Sequence, residues 1–230
     1  LASRLKSYIG KVYYLRKRRG KPRLYGLLDR QLYRLPYCEE ASRMDKCLDF
    51  EAFSDVVLQL FNEVIELKQR SSLKTFEVWS SYLSLTLIML ANGLRIREAL
   101  RAARIFCETG ERKLVIKAEK GGDFRSVIIP EFLEKEDLEH LYKMLIKTGE
   151  DNTRKRVLDW LRRVFGVNPH SIRYSFIRYH TLTGRSPEEI AKALGLKATR
   201  NIKRYYLRGL QLQGEGEGNG GASGAREGFT

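Results

Sequence analysis

Cysteine is scarce in this chain: three residues in 230, at Cys38, Cys47 and Cys107. They are scattered and odd in number, with no CxxC pair and no Cys/His cluster, so the sequence specifies neither a disulfide framework nor a zinc site. They read as reduced thiols of an intracellular protein, and a cytoplasmic location is expected. Long apolar runs are missing too. The densest, Tyr82 to Ala91, is about half the length a helix needs to cross a bilayer, which argues against a membrane partner. No signal peptide is visible. The chain opens on Leu1 rather than Met, and a piece of a longer protein is expected. There is no internal repeat.

Negative charge is also in short supply. Lys and Arg number 43 against 28 Asp and Glu, a net charge of +15 with a pI near 9.8. A surface charged only for solubility would mix its signs, whereas here the excess is concentrated. Residues 1–47 carry 13 Lys and Arg against 4 Asp and Glu. A strongly basic chain with no basic amphipathic helix points to nucleic acid rather than to a membrane surface. Arg16, Lys17, Arg18, Arg19, Lys21 and Arg23 form the densest run and are the candidate contacts to a phosphate backbone.

The remaining pattern is mainly α with one small antiparallel β-hairpin. Residues 1–47 read as a basic linker or the end of an N-terminal DNA-binding region, 48–212 as one folded domain, and 213–230 as a flexible glycine-rich tail. "LDFEAFSDVVLQLFNEVIELKQR" has apolar residues at helical spacing. A second helix, about Phe76 to Asn92, is apolar on nearly all sides and is expected at the domain centre. "KLVIKAE" and "RSVIIP" around a Gly-Gly turn predict a hairpin. Helices follow over about Glu136–Lys147, Thr153–Phe165 and His170–Leu182. Another begins in "GRSPEEIAKALGL", where Ser186 caps, Pro187 takes the first position and Glu189 completes a capping box.

Several polar residues within this frame can carry chemistry. His170 and Arg173 are three apart at a helix start and share a face, a cation beside a titratable imidazole. Arg95 follows a Gly-Leu pair after the buried helix; it can pair simply with Glu98, or be aimed at a phosphate with Glu98 orienting it. Lys120 stands at the hairpin turn, either as a solvated turn residue or as a proton donor reaching into a groove, with Lys113 and Lys117 as competitors. Near the end, "NIKRYYLRG" sets Tyr205 beside Tyr206 among basic residues. A phenol attacks a phosphodiester once the phosphate charge is neutralised and the leaving oxygen is protonated.

In this order and spacing the boxes resemble the catalytic domain of the tyrosine recombinases, the phage-integrase family that includes Xer and Cre. "GLRIREAL" is similar to the first arginine box "GLRISEL", and "EKGGDFRSVIIP" to the lysine hairpin "GKGNKERVVPL". "PHSIRYSF" is similar to "PHxLRHSF". In "TGRSPEEIAKALGL" the glycines fall 11 and 22 residues after Arg173, as the family's "NG…IQxLLGH" expects. The resemblance covers about residues 48–207. Its departures are those of a divergent member, like the integrases of archaeal viruses and plasmids. It implies a site-specific recombinase that cleaves and rejoins duplex DNA through a 3′-phosphotyrosyl link, with no metal and no other cofactor. It also implies assembly of four copies on two DNA sites. The roles implied are phosphate binding for Arg95 and Arg173, protonation of the leaving 5′-oxygen for Lys120, proton transfer for His170, and nucleophilic attack for Tyr205.

The departures also bear on the site. Leu196 stands where the family has a hydrogen-bonding His or Trp; Lys197 or Arg200 would have to replace that contact. Tyr174 replaces a frequent His, and Arg97 a small polar residue. Tyr205 lies nine residues beyond Leu196, the family's interval, with Tyr206 as the alternative if the last turn shifts by one. Two other readings share parts of the pattern. A type IB topoisomerase uses the same chemistry. A non-catalytic helix-turn-helix protein would use Lys197, Thr199 and Arg200 to open a recognition helix, but it leaves Arg95, the hairpin and the His-x-x-Arg box unexplained. Removing residues 1–25 is expected to weaken DNA binding and flatten its salt dependence, measured as log K against log salt. An unchanged slope takes that segment out of the interface.

Overall fold

A computed structural model describes residues 48–70, 74–119, 123–196, 199 and 202. The fold is mainly helical with one two-stranded antiparallel sheet. In chain order the elements are α1 Phe50–Arg70, α2 Lys74–Asn92, α3 Ile96–Thr109, β1 Lys113–Lys117, β2 Phe124–Ile128, α4 Lys135–Val164, α5 Pro169–Leu182 and α6 Pro187–Ala193. Among the described residues no helix is long and apolar enough to cross a membrane.

Helix α2 lies at the centre, as its all-round apolar sequence requires. Every residue from Trp79 to Leu90 is buried, and α1, α3, α4, α5 and β2 pack around it. One end of this core is aromatic. Trp160 of α4 meets Trp79, Tyr82 and Phe165 edge-on at 5.3–5.5 Å between ring centroids, and Phe165 in turn meets Phe53 at 5.3 Å. Edge-to-face pairs add to the burial of these large rings. The sequence predicts two helices over 136–165. The backbone runs through both, but Gly149 at φ 77, ψ 169 breaks the helical geometry between them. α6 carries the expected capping box: Ser186 Oγ accepts from the Glu189 N–H at 3.2 Å, and the Glu189 carboxylate accepts from the Ser186 N–H at 2.8 Å.

The strands alternate outward and inward, Leu114 and Ile116 of β1 facing in with Arg125 and Val127 of β2. Asn92, the last residue of α2, ties the hairpin down. Its Nδ2 donates to the Ile128 carbonyl at 2.9 Å and its Oδ1 accepts from the Ile128 N–H at 2.8 Å. A smaller apolar cluster (Phe176, Ile177, Ile190, Ala191, Leu194 and Ile202) joins α5 to α6, with Leu196 packed against it. The two cores meet at Gly93, between α2 and α3. Its φ is +59°, and a Cβ there would lie 2.5 Å from Phe176 Cδ1 and 2.9 Å from Leu194 Cδ2. Gly93→Ala is therefore expected to destabilise by about 2–4 kcal/mol, from left-handed strain plus overpacking, read by denaturant unfolding. A loss below about 1 kcal/mol would contradict this contact.

Candidate functional site

The polar centre of the molecule begins with a helix start. Arg95 is the N-cap of α3, and Glu98 at the third helical position reaches back so that its Oε2 accepts the Arg95 N–H at 3.0 Å. That is the carboxylate half of a capping box. The Glu98 side chain has no solvent exposure, so protein donors must replace its water. Arg95 Nη1 donates to Oε1 at 3.1 Å, and the Glu119 N–H, just past β1, donates to the same oxygen at 3.0 Å. Arg125 Nη1 of β2 donates to Oε2 at 3.3 Å and Arg173 Nη1 of α5 at 3.5 Å. One carboxylate thus joins α3, the hairpin and α5. Burial works against the Glu98 anion, but the Arg95 and Glu119 N–H groups, with Arg173 and Arg125, overcome it and hold its pKa below the ordinary carboxylate value.

The guanidiniums outnumber the carboxylate three to one. Arg125 also donates through Nη2 to the Asn92 carbonyl, and Arg173 Nη1 donates to the Gly93 carbonyl at 2.8 Å. The side chains of Arg125 and Arg173 are 1% and 5% exposed. Desolvation draws the pKa of each down to about 10, which leaves both charged at neutral pH; Glu98 opposes the fall and neighbouring arginines reinforce it. Arg173 Nη2 and Arg125 Nε are buried with no hydrogen-bond partner among the described residues. Arg95 is the more open, its side chain 15% exposed. It sits at the N-terminal end of a helix, where the macrodipole adds positive potential to its own charge. A preorganised excess of cations with unused donors is the arrangement that binds an oxyanion.

His170 occupies the first turn of α5, three residues before Arg173 and exposed, its ring 6.2 Å from that of Tyr174. Asn168 caps that turn by accepting the His170 N–H at 3.1 Å. Glu98 does pair with Arg95, the simpler of the two readings of that motif, but the same carboxylate also reaches Arg125 and Arg173. Arg97 is spent elsewhere, on Asp151 at 2.6 Å and Glu150 at 3.8 Å of α4, and on Glu119 at 4.0 Å. Lys120, Lys197, Arg200, Tyr205, Tyr206 and the basic residues Arg16, Lys17, Arg18, Arg19, Lys21 and Arg23 lie outside the described residues. Among the described residues no group of three or more His, Cys, Asp and Glu side chains is placed to hold a metal.

Arg125 is the member of this cluster that the sequence analysis misses. The signal for it is strand alternation. Lys113 and Lys117 point the faces of β1, and Ile116 pairs with Arg125, which puts the arginine among inward-facing apolar neighbours. Asn92 was likewise unmarked beyond ending its helix.

Known proteins resemble this chain over part of its length. It is 35% identical over 127 residues to a protein of Acidianus two-tailed virus that carries the name "Putative integrase ORF241". The match takes in 55% of this chain and 52% of the viral one, so the chain spans about half of that relative. It is 27% identical over 149 residues to an uncharacterized protein of Methanocaldococcus jannaschii, covering 54% of this chain and 67% of the relative. No family model matches the chain, and no solved structure matches it.

Removing the carboxylate leaves three guanidiniums unbalanced. Glu98→Ala is expected to cost about 3–5 kcal/mol in denaturant unfolding, as for other broken buried pairs. Because the folded pKa of Glu98 is depressed, its stabilisation is fully present above the ordinary value of 4.5 and is lost as pH falls through the lower folded value. The pH dependence of the melting temperature in that acid range should flatten in Glu98→Gln. A wild-type slope in the variant would assign the acid sensitivity to other groups.

Proposed function

We propose that the chain is the strand-cutting and rejoining part of a DNA integrase that works in the manner of the tyrosine recombinases. The observation that carries this reading is the buried cluster of Arg95, Arg125 and Arg173 around the single carboxylate of Glu98. A phosphodiester carries one negative charge and two nonbridging oxygens. The cluster has a surplus of positive charge and, in Arg173 Nη2, an unused guanidinium donor to meet them. The sequence boxes, the net charge of +15 and the likeness to a viral protein bearing an integrase name support the same conclusion.

In this mechanism Arg95 and Arg173 bind the nonbridging oxygens and stabilise the charge that builds on the pentavalent transition state. The Tyr205 phenolate oxygen attacks phosphorus, with Tyr206 as the alternative nucleophile, and the P–O5′ bond breaks. His170 assists removal of the phenol proton, and Lys120 donates a proton to the leaving 5′-oxygen. The phosphotyrosyl ester conserves the energy of the broken bond, so a 5′-hydroxyl of another duplex can reverse the step and exchange strands. Glu98, with Lys197 or Arg200, supports the phosphate contacts. Duplex DNA is the substrate, the basic segment Arg16–Arg23 extends the DNA interface, and four copies act on two sites. The protein works where its DNA lies, in the cytoplasm of the cell or of a host.

The test is covalent trapping on a nicked suicide duplex carrying a candidate site, resolved on a denaturing gel. A protein–DNA band is expected for the wild type and for Tyr206→Phe, and none for Tyr205→Phe. Arg173→Ala should slow trapping by about 10²–10³-fold, the usual cost of a lost oxyanion contact. The opposite tyrosine result would move the nucleophile by one residue. Tight binding of a verified site with no band would make the protein a DNA binder rather than a nuclease-ligase.

A further inference from the structure

We propose that Arg125 is a positioning residue of the anion site: it holds Glu98 so that Arg173 and Arg95 stay available to a phosphodiester. The inference rests on the reading of a phosphate between those two arginines, which itself does not require Arg125.

The geometry at Glu98 Oε2 carries the argument. Three donors converge on this one oxygen: the Arg95 N–H at 3.0 Å, Arg125 Nη1 at 3.3 Å and Arg173 Nη1 at 3.5 Å. A carboxylate offers about two lone-pair directions per oxygen, so the three donors compete. Arg173 has the longest contact of the three, and its Nη2 is left without a partner among the described residues. Arg173 Nη1 is also held by the Gly93 carbonyl at 2.8 Å, but Arg125 is the more deeply enclosed of the two. Its Nη2 is fixed on the Asn92 carbonyl, its side chain is 1% exposed, and the turn after α6 passes against it at Gly195. Gly195 has φ +63°, and a Cβ there would crowd Arg125 Cβ at 3.1 Å and Ala118 Cβ at 3.2 Å, so the position favours glycine. Arg125 therefore does not reach a ligand itself. It consumes charge and hydrogen-bonding capacity of Glu98 that Arg173 would otherwise take. Without it, one carboxylate faces two guanidiniums and draws Arg173 inward. With it, the carboxylate is shared three ways and the site keeps two surplus positive charges.

A merely structural arginine would support the hairpin and do nothing to anion affinity once the protein is folded. The two roles separate in a titration of the full chain, labelled with ¹⁵N-arginine, against inorganic phosphate. The readout is the Arg173 Nε–H resonance, assigned by its loss in Arg173→Lys. Arg125→Met should weaken phosphate binding about tenfold, equivalent to about 1.4 kcal/mol, while Arg125→Lys, which keeps the charge, stays within about threefold of wild type. Adding Glu98→Gln to Arg125→Met restores the two surplus charges and should recover most of the affinity. Arg125→Gln replaces the Met variant if that one does not fold. Wild-type affinity in a folded charge-removing variant, or no recovery in the double variant, would overturn the role of Arg125 and leave the phosphate site standing. No response of Arg173 to phosphate in the wild type would overturn both.

Discussion

A carboxylate without solvent exposure stays ionised only if protein donors replace its water, and Glu98 gathers five of them. That requirement organises the molecule. The donors come from the start of α3, the turn just past β1, the second residue of β2 and the first half of α5. Forming the ion cluster therefore means docking all four segments, and misplacing any one strips Glu98 of one or more of its donors. Buried ion clusters of this kind are weak sources of net stability but severe when broken. The apolar packing around α2 must supply the stability the cluster does not.

The same arrangement explains why two apolar cores meet where they do. The larger, built on α2, holds Arg95 and, through Asn92, the hairpin that carries Arg125. The smaller, between α5 and α6, holds the helix of Arg173. Gly93 and Gly195 are the close approaches that let the second unit seat against the first, one under Phe176 and Leu194, the other against Arg125. Positions that look like simple turns in sequence thus set the separation of the cationic groups.

Much of this was legible beforehand, because the signals were local. α2 announced its central place by being apolar all round, and the Ser186 box and Asn168-Pro169 set their helix starts through short-range hydrogen bonds. The hairpin followed from period and glycine. The kink inside α4 was visible as a gap between two helices, although the backbone continues through it at Gly149. What stayed hidden depended on long-range pairing. The Glu98–Arg173 contact spans 75 residues and the Glu98–Arg125 contact 27. Arg125 looked like an ordinary strand arginine until its cross-strand partner fixed which face it occupied. Asn92 looked like a helix end, yet its side chain bridges to a strand 36 residues away.

On the proposed function, the surplus positive charge around Glu98 receives a phosphate oxygen. The most direct measurement is a crystal structure of the chain soaked in orthovanadate or phosphate at neutral pH. The expected result is an oxyanion with one oxygen within hydrogen-bond distance of Arg173 Nη2 and another on Arg95, and with Glu98 still paired to Arg125. An anion bound elsewhere, with Arg95 and Arg173 both closed onto Glu98, would contradict it and make the cluster a structural tie alone.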